Sequence, residues 1–448
     1  MLKVNRYHLI HLLGVCKSNP AHCSQTVPVK YFPVHAVKFR YLFIFFFSLN
    51  PPLFAQEGMD FVSLQHTLLQ ENPRLKAMES EAEMVRHKIV QSSSLDDPRL
   101  KLGVNNLPAD SFSFDKEDMT SKEIGISQMI PLWGKRSAKG RIMTLEYQKA
   151  LERLAQERLD TLHRLRKNLY ELIEARESKK IFKQIREDLK MVIESETALS
   201  KTGMGSLEGV INANIETLMT DEEIIMLEQK ESELLQKIQY LVGKNAAVAI
   251  KDINPEVVEM DKEAIRQCID DNPAVKILKY EKQISEEQIK LKKLEYLPDM
   301  EIGASYMQRD NGAMENRADM VSGMVSFNIP LRLAAKDAMV QEMNEKCQSA
   351  GSAIQDKRNE LETRAENLLF KMNKWKKIMV LYSDRLIPQA EFSLKSILAS
   401  YRTDGGLVSV IDKERRLLTY RIKLVMAERR YRSAYSGLSS LMGKEVLR

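Results

Sequence analysis

The sequence has few of the residues from which most enzymes and metal sites are built. Its 448 residues include four cysteines and seven histidines, and no histidine follows His163. It contains no Gly-x-Ser-x-Gly motif, no phosphate-binding loop and no histidine–carboxylate constellation of recognisable spacing. These absences predict a protein that is not an enzyme, with no cofactor and no catalytic residues.

The four cysteines, at positions 16, 23, 268 and 347, are too few for a disulfide framework in a chain of this size. Cys16 and Cys23 lie near His11 and His22, but their spacing fits no standard zinc pattern. The 23 methionines suit the filling of irregular helical packing, and they form no paired cluster with histidine. We therefore predict no dedicated metal site.

Acidic residues are absent from positions 1–55, which hold six basic residues. The rest of the chain carries 62 basic and 62 acidic residues, so its formal net charge is zero. The sequence pI of about 8.8 therefore comes from the N-terminal segment. It is no evidence for nucleic-acid binding, which needs a concentrated basic face.

The segment 38–56 has the layout of a secretory signal. Lys38 and Arg40 precede a short apolar run, Tyr41–Leu49, and Ala55-Gln56 follows as a cleavage site. The run is too short to cross a bilayer as a helix, and a buried core helix is the alternative. We expect residues 1–55 to be an N-terminal extension and signal peptide, with translation beginning near Val37.

Long apolar runs are missing after residue 55, where charged residues interrupt every stretch, so no membrane-spanning helix is predicted. What is present is a repeat about 200 positions long. The paired segments are ENPRLK and DNPAVK, ISQMIPL and VSFNIPL, GMGSLEGVI and DGGLVSVI, and LVGK and LMGK. This period is too long for a solenoid. It indicates two copies of one unit, about 60–244 and 260–444, and hence domains 56–250 and 251–448.

Each unit begins with a helix of about 20 residues after its Asn-Pro pair. Two segments of alternating polar and apolar residues follow, which is the pattern of a strand with two different faces. The predicted strands are about 98–107 and 121–131 in the first copy, and about 298–308 and 319–330 in the second. Each is about ten residues long, the length that a tilted membrane strand needs.

A long helical hairpin completes each unit. Leu162, Leu165, Leu169 and Leu172 are spaced 3-4-3, which is typical of a coiled coil. This helix is predicted over 134–200, with a glycine turn and a second helix over about 207–242. In the second copy Pro388 should kink the long helix, because proline removes a backbone hydrogen bond and clashes with the preceding turn.

The two units together supply four strands, and four strands cannot close a barrel. An open strand edge cannot lie in lipid, because its backbone groups would stay unpaired. An exported chain with membrane-length strands therefore needs partner strands, and oligomerisation is the economical source of them.

These features resemble the TolC-like outer-membrane efflux proteins. The residues that carry the resemblance are Asn72-Pro, Asn272-Pro, the paired strand hairpins and the stretch 386–418, LIPQAEFSLKSILASYRTDGGLVSVIDKERRLL. The resemblance implies a mainly α fold with a small β part. It implies a homotrimer that forms a 12-stranded outer-membrane barrel, continued by an α-helical tunnel in the periplasm. The implied function is the outer-membrane channel of a tripartite efflux system, which receives cargo through a periplasmic adaptor from an inner-membrane pump of the RND type.

The resemblance also implies where the functional residues lie. The hairpin ends would dock the adaptor and gate the tunnel, through Gly203, Gly205, Leu207, Tyr401, Arg402, Asp404, Gly405 and Leu407. Strand alternation gives the candidates for the barrel lumen, which are Lys101, Asn105, Asp299, Glu301, Ser305, Ser322 and Ser326. Trp133 is a candidate for the aromatic girdle at the interface, or for a buried position in the tunnel.

Residues 96–136 are similar to channels of the CusC and CzcC type that accompany heavy-metal efflux pumps, so heavy-metal cations are one expected cargo. Two other readings stay open. The chain could be a periplasmic adaptor, although an adaptor has one α-hairpin and more strands. It could also be a soluble coiled-coil scaffold, which would have no need of alternating strand hairpins.

Overall fold

The computed structural model describes residues 60–201, 207–243, 267–312, 316–400 and 407–443. These ranges all lie in one compact unit, Gln56–Arg448. The expected signal segment lies outside the described residues. The elements in chain order are α1 (Phe61–Glu71), α2 (Pro73–Ser93), β1 (Arg99–Asn105), β2 (Ser121–Ile130), α3 (Lys135–Lys201), α4 (Leu207–Val242), α5 (Pro273–Leu294), β3 (Met300–Gln308), β4 (Met320–Phe327), α6 (Leu333–Leu381), a π-helical turn (Tyr382–Leu386), α7 (Ile387–Ser400) and α8 (Leu407–Leu441). A mainly helical fold with a small antiparallel sheet is therefore confirmed.

The four strands form one antiparallel sheet in the order β1-β2-β3-β4. The two repeats meet at the β2–β3 pair, where Gly125 lies opposite Ser305 and Ile126 opposite Ala304. The outer strands β1 and β4 each have a partner on one side only, so the described sheet has two open edges. The strands are one to four residues shorter than the alternation indicated.

The repeated Asn-Pro pair forms the same joint in both copies. Proline occupies the first helical position of α2 and of α5, where its missing N–H is not needed. The Asn72 side chain accepts a hydrogen bond from the Arg74 amide and donates one to the Leu241 carbonyl at 2.6 Å. Asn272 does the same with the Ala274 amide and the Leu441 carbonyl, also at 2.6 Å. The pair therefore ties the start of the short helix to the end of the hairpin.

The helices pack around two apolar cores, one in each repeat. The first is formed by the helices α1, α2, α3 and α4. It contains the predicted leucine seam of α3, whose members are at most 1% exposed: Leu162, Leu165, Leu169 and Leu172. The second joins α5, α6 and α8 and contains Leu361, Tyr431, Tyr435 and Leu438. Helix α3 also packs against α5 and α8, so it connects the two repeats.

The long helix of the second repeat changes its hydrogen bonding next to Pro388. A π-helical turn, Tyr382–Leu386, lies directly before it, and the Ile387 amide donates to the Tyr382 carbonyl. This wider turn accommodates the residue that lacks an N–H. Helix α3, the counterpart in the first repeat, is continuous over 67 residues.

None of the helices in the five described ranges combines the length and apolarity needed to cross a membrane. In the same ranges no group of three or more histidine, cysteine, aspartate or glutamate side chains is placed to hold a metal ion. Cys268 and Cys347 are free thiols.

Candidate functional site

The register of the sheet separates two faces of opposite chemistry. One face, here called the polar face, carries Arg99, Lys101, Gly103, Asn105, Ser121, Glu123, Gly125, Ser127, Glu301, Gly303, Ser305, Ser322 and Ser326, with methionines at 129, 307, 320 and 324. The other, the apolar face, carries Leu100, Leu102, Val104, Ile124, Ile126, Met300, Ile302, Ala304, Tyr306, Val321, Val325 and Phe327, with Gln128 within it and Lys122 and Gln308 at its end. This separation follows from strand alternation kept in register across four strands.

The apolar face has no cover within the described chain. Leu102, in the middle of β1, is 71% exposed, and Val321, near the start of β4, is 79% exposed. Contiguous apolar surface of this kind is rare on monomeric soluble proteins and marks contact with lipid or another protein. The face therefore requires an apolar environment that one chain does not provide.

The polar face is organised around Glu123. The Glu123 side chain is nearly buried and accepts hydrogen bonds at 2.9 Å from Lys101 Nζ and Asn105 Nδ2. The Ser305 hydroxyl is a further partner of this carboxylate. Lys101 reaches outward, with 67% of its side chain exposed. The sequence interpretation omitted Glu123, although it alternates with Ile124 and Ile126.

Small residues line the middle of the polar face. Gly125, Ser127, Gly303, Ser305 and Ser322 surround a depression of about 120 Å³. A Cβ atom at Gly125 would approach the Ser305 Cβ to 3.0 Å, so this position excludes larger side chains. The polar face therefore presents a depression lined by small and charged groups, which is suited to contact with water and polar solutes.

Six of the seven lumen candidates lie on the polar face. They are Lys101, Asn105, Glu301, Ser305, Ser322 and Ser326. The seventh, Asp299, precedes β3 and is engaged at the junction of sheet and helix. Its carboxylate accepts from the Leu132 amide at 3.1 Å and from Lys135 Nζ at 2.8 Å.

Trp133 belongs to the same junction. Its indole N–H donates to the Pro298 carbonyl at 2.8 Å, and its ring is 55% exposed. Its backbone is left-handed, with φ 61°, as is that of Gly134 at 78°. Two consecutive left-handed residues turn the chain sharply from β2 into α3. More than half of the ring is exposed in the single chain, and the girdle position stays a prediction.

The loops at the opposite end of the two hairpins are fastened to each other. The Arg317 guanidinium donates to Asp118 at 2.6 Å and to the Asp115 and Glu117 carbonyls. Lys122 pairs with Asp310 at 2.9 Å. Both contacts join the first repeat to the second, so they fix the end of the sheet that lies away from the helices.

The predicted docking and gating residues are only partly visible. Gly203, Gly205, Tyr401, Arg402, Asp404 and Gly405 lie outside the described residues. Leu207 begins α4 and is 69% exposed, and Leu407 begins α8. An ion pair shows how the two hairpins are aligned: Arg415 Nε of α8 lies 3.5 Å from Glu216 Oε1 of α4. These residues lie eight and nine positions into α8 and α4, so both helices begin at the same level.

Comparison with known proteins finds this architecture in solved outer-membrane channels. Residues 64–244 match the family model for outer membrane efflux proteins. No curated protein sequence matches the chain.

Solved structures match over most of the chain. CusC, described for transmembrane channel formation, shares 12% identity, with a TM-score of 0.73 over 85% of this chain and 91% of that one. VceC from Vibrio cholerae shares 15% identity, with a TM-score of 0.70 over 85% and 95%. The outer-membrane channel MtrE of Neisseria gonorrhoeae, in its open state, shares 13%, with a TM-score of 0.70 over 85% and 88%. Likenesses at this identity establish the fold. Together with the family match they confirm the TolC-like resemblance predicted from the sequence.

Proposed function

We propose that this relative of the outer membrane efflux proteins is the outer-membrane channel of an efflux system. It would act as a passive exit duct that extends from the outer membrane into the periplasm. The observation that carries the proposal is the sheet, which has one exposed apolar face, one polar face and two open edges. Such a sheet is suited to lipid on one side and water on the other.

The open edges support a ring of chains. In the up-and-down order β1-β2-β3-β4, the strands β1 and β4 run in opposite directions. The β4 edge of one copy can therefore pair antiparallel with the β1 edge of the next, which satisfies the exposed backbone groups. Three copies would supply the twelve strands that the family resemblance implies, with the polar face, including Glu123, lining the lumen.

The helices would form the periplasmic part, and their ends would meet the partner proteins. By resemblance we assign the adaptor-docking and gating role to the hairpin ends. The partners are a periplasmic adaptor and an inner-membrane pump of the RND type. Cross-linking from Leu207→Cys in cells should capture the adaptor, and capture from the opposite end, at Arg309→Cys, should not.

Heavy-metal cations are the cargo that the resemblance of residues 96–136 favours. Deleting the gene from its host should lower the tolerated concentration of copper, silver, zinc, cobalt or cadmium salts, and the full-length gene should restore it. Unchanged metal tolerance together with sensitivity to organic drugs would transfer the proposal to that class of cargo.

The experiment that tests the channel directly is the native mass of the protein extracted in mild detergent from the outer-membrane fraction. A trimer of chains that begin near Gln56, with ion conductance in planar bilayers, is the expected result. A soluble periplasmic monomer would overturn the channel and favour the alternative, a periplasmic coiled-coil adaptor or scaffold.

A further inference from the structure

The part of the helical bundle nearest the hairpin ends is held by a small apolar cluster. Its buried members are Ile185 and Leu189 on α3, Ala213 on α4 and Ile411 on α8. Next to it, helices α3, α7 and α8 enclose an open cleft of about 460 Å³, lined by Met191, Val192, Ser195, Leu394, Leu398 and Val410 together with two acidic side chains. This cluster has four buried members, whereas each main core has twelve. Polar contacts therefore contribute a larger share of the energy that holds the helices together at this end.

The two acidic side chains, Asp188 on α3 and Glu414 on α8, both line this cleft and lie close enough to share a hydrogen bond. A carboxylate can only accept hydrogen bonds, so this contact requires a proton on one of the two groups. The Gln184 amide donates to Asp188 Oδ1 at 2.9 Å, so Asp188 already acts as a hydrogen-bond acceptor. The shared proton is therefore assigned to Glu414.

The charged groups around the pair do not neutralise it. In the described part of the cleft lining, Asp188 and Glu414 are the only titratable side chains, and neither Lys395 of α7 nor Lys413 of α8 belongs to that lining. The neighbouring cations of the packed helices have their own acidic partners: Arg415 with Glu216 of α4, Arg186 with Asp221 of α4, Lys190 with Glu187, and Arg421 with Glu391 of α7.

Burial, together with the hydrogen bond and the negative charge of Asp188, raises the pKa of Glu414 to about 7. A carboxyl group with this pKa changes its charge in the range of pH that a periplasmic protein meets. Below that pH the pair is a hydrogen bond. Above it the pair is two adjacent negative charges in a half-buried cleft, which repel each other.

We propose that Asp188 and Glu414 form a proton-operated latch that holds α3 against α8 near the hairpin ends. When the proton is present, the hydrogen bond joins the helices of the two repeats. When it leaves, charge repulsion and rehydration of both carboxylates drive the helices apart at the cleft. The latch concerns one chain and stands without the proposed channel. Its effect on the closing of a duct rests on the proposed function.

The test is the distance between spin labels at Lys190→Cys on α3 and Asp412→Cys on α8, in a background in which Cys268 and Cys347 are serine. Labelled chains are diluted with unlabelled chains, so that each assembly carries one labelled pair. In the otherwise native chain the distance should lengthen as pH rises, with a midpoint near pH 7. In the E414Q variant the glutamine amide donates to Asp188 at every pH, so the short distance should persist.

The matched control is E428Q, which changes another partly buried glutamate on the same helix. Its distance should titrate as in the native chain. A native distance that does not change across the titration would overturn the latch, and so would an E414Q variant that titrates like the native chain.

A second measurement uses the native protein alone, so it does not depend on whether a variant folds. Infrared difference spectra of the native protein should show the carbonyl band of a protonated carboxyl group disappearing with a midpoint near pH 7. No such band in this range would overturn the proposal.

Conductance separates the two proposals. If the distance titrates but no channel forms in bilayers, the latch stands and the channel fails. If a channel forms while the distance is constant, the latch fails and the channel stands. If both hold, open probability should rise with pH in the native channel and stay low in E414Q.

Discussion

Asn72 joins the first turn of α2 to the last turn of α4 through a single side chain. Its oxygen accepts from the Arg74 and Leu75 amides, which are among the unpaired N–H groups at a helix start. Its amide group donates to the carbonyl of Leu241 near a helix end, where carbonyls also lack intrahelical partners. The asparagine amide carries the acceptor and the donor on separate atoms, and Asn272 makes the same two contacts in the second repeat.

Replacing Asn72 with alanine should lower the free energy of unfolding by about 2 kcal/mol. The change removes a helix cap and leaves a buried carbonyl without its partner. N72D is the comparison variant, because it keeps the cap oxygen but sets a buried carboxylate oxygen against the Leu241 carbonyl oxygen. Denaturant titration in detergent should rank the native chain above both variants. A loss below about 0.5 kcal/mol in N72A would contradict this account.

Two glycines should respond in opposite directions to the same substitution. Gly243 ends α4 with φ 78°, and a Cβ atom there would lie 3.4 Å from the Glu71 carbonyl oxygen. Gly351 lies within α6, with open space where a Cβ would be built. We expect G243A to destabilise the protein by about 1–2 kcal/mol and G351A to stabilise it by about 1 kcal/mol. Equal effects in the denaturant titration would exclude this explanation.

At the scale of elements, the structure depends on how helices and strands are joined. The Lys135 ammonium, at the start of α3, is nearly buried and donates to Asp299 and to the Leu297 carbonyl. Asp299 also accepts from the Leu132 amide. This junction fixes the angle between the sheet and the longest helix. Strand alternation made Asp299 a candidate for the barrel lumen, but its carboxylate is bonded at this junction instead.

Replacing Asp299 with alanine should cost about 3 kcal/mol, because it leaves a buried ammonium without its counter-charge. Adding K135M should recover more than half of that loss, since the uncompensated charge is then gone. The two single variants and the double variant form a cycle whose coupling is read from unfolding free energies. Additive effects of the two substitutions would show that the pair does not act as a unit.

The π-helical turn before Pro388 makes a second element-scale prediction. In P388A the backbone regains an N–H, so α6 and α7 should approach a continuous α-helix. Amide hydrogen exchange over residues 382–392 should slow at least tenfold. Leu386→Ala is a control within the turn that leaves the proline in place and should not slow exchange. Unchanged exchange in P388A would mean that packing against α8, and not the proline, sets the turn.

At the scale of the whole molecule, local patterns predicted most elements and few of the contacts between them. Alternation and the 3-4-3 spacing predicted the four strands and the long helices, because each pattern gathers the apolar side chains on one face of its element. The position of Glu123 between Lys101 and Asn105 depends on strand register, which a single strand does not contain. The Asp188–Glu414 contact joins helices from different repeats, so neither segment reveals it alone.

Toward the hairpin ends the hairpin helices lie side by side in the order α4, α3, α8 and then α6 with α7, so α4 and the α6–α7 pair are the outer edges there. Both edges expose large apolar side chains, and the exposed residues lie at matching levels. Ile215 is eight residues from the start of α4, and Phe392 is eight residues from the end of α7, which is about 12 Å in each case. They are 50% and 76% exposed. A head-to-tail ring of copies would bury these edges against each other.

This arrangement predicts a specific cross-link between copies. In a background without Cys268 and Cys347, the double variant I215C/F392C should form disulfides between neighbouring chains and migrate as a trimer on a non-reducing gel. I215C/F370C is the matched control, because Phe370 is also exposed but lies 30 residues from the end of α7, about 45 Å along the helix. It should stay monomeric. Dimers that never extend to trimers would indicate a two-fold contact in place of the ring, and equal cross-linking in both variants would show that the edges do not meet in this register.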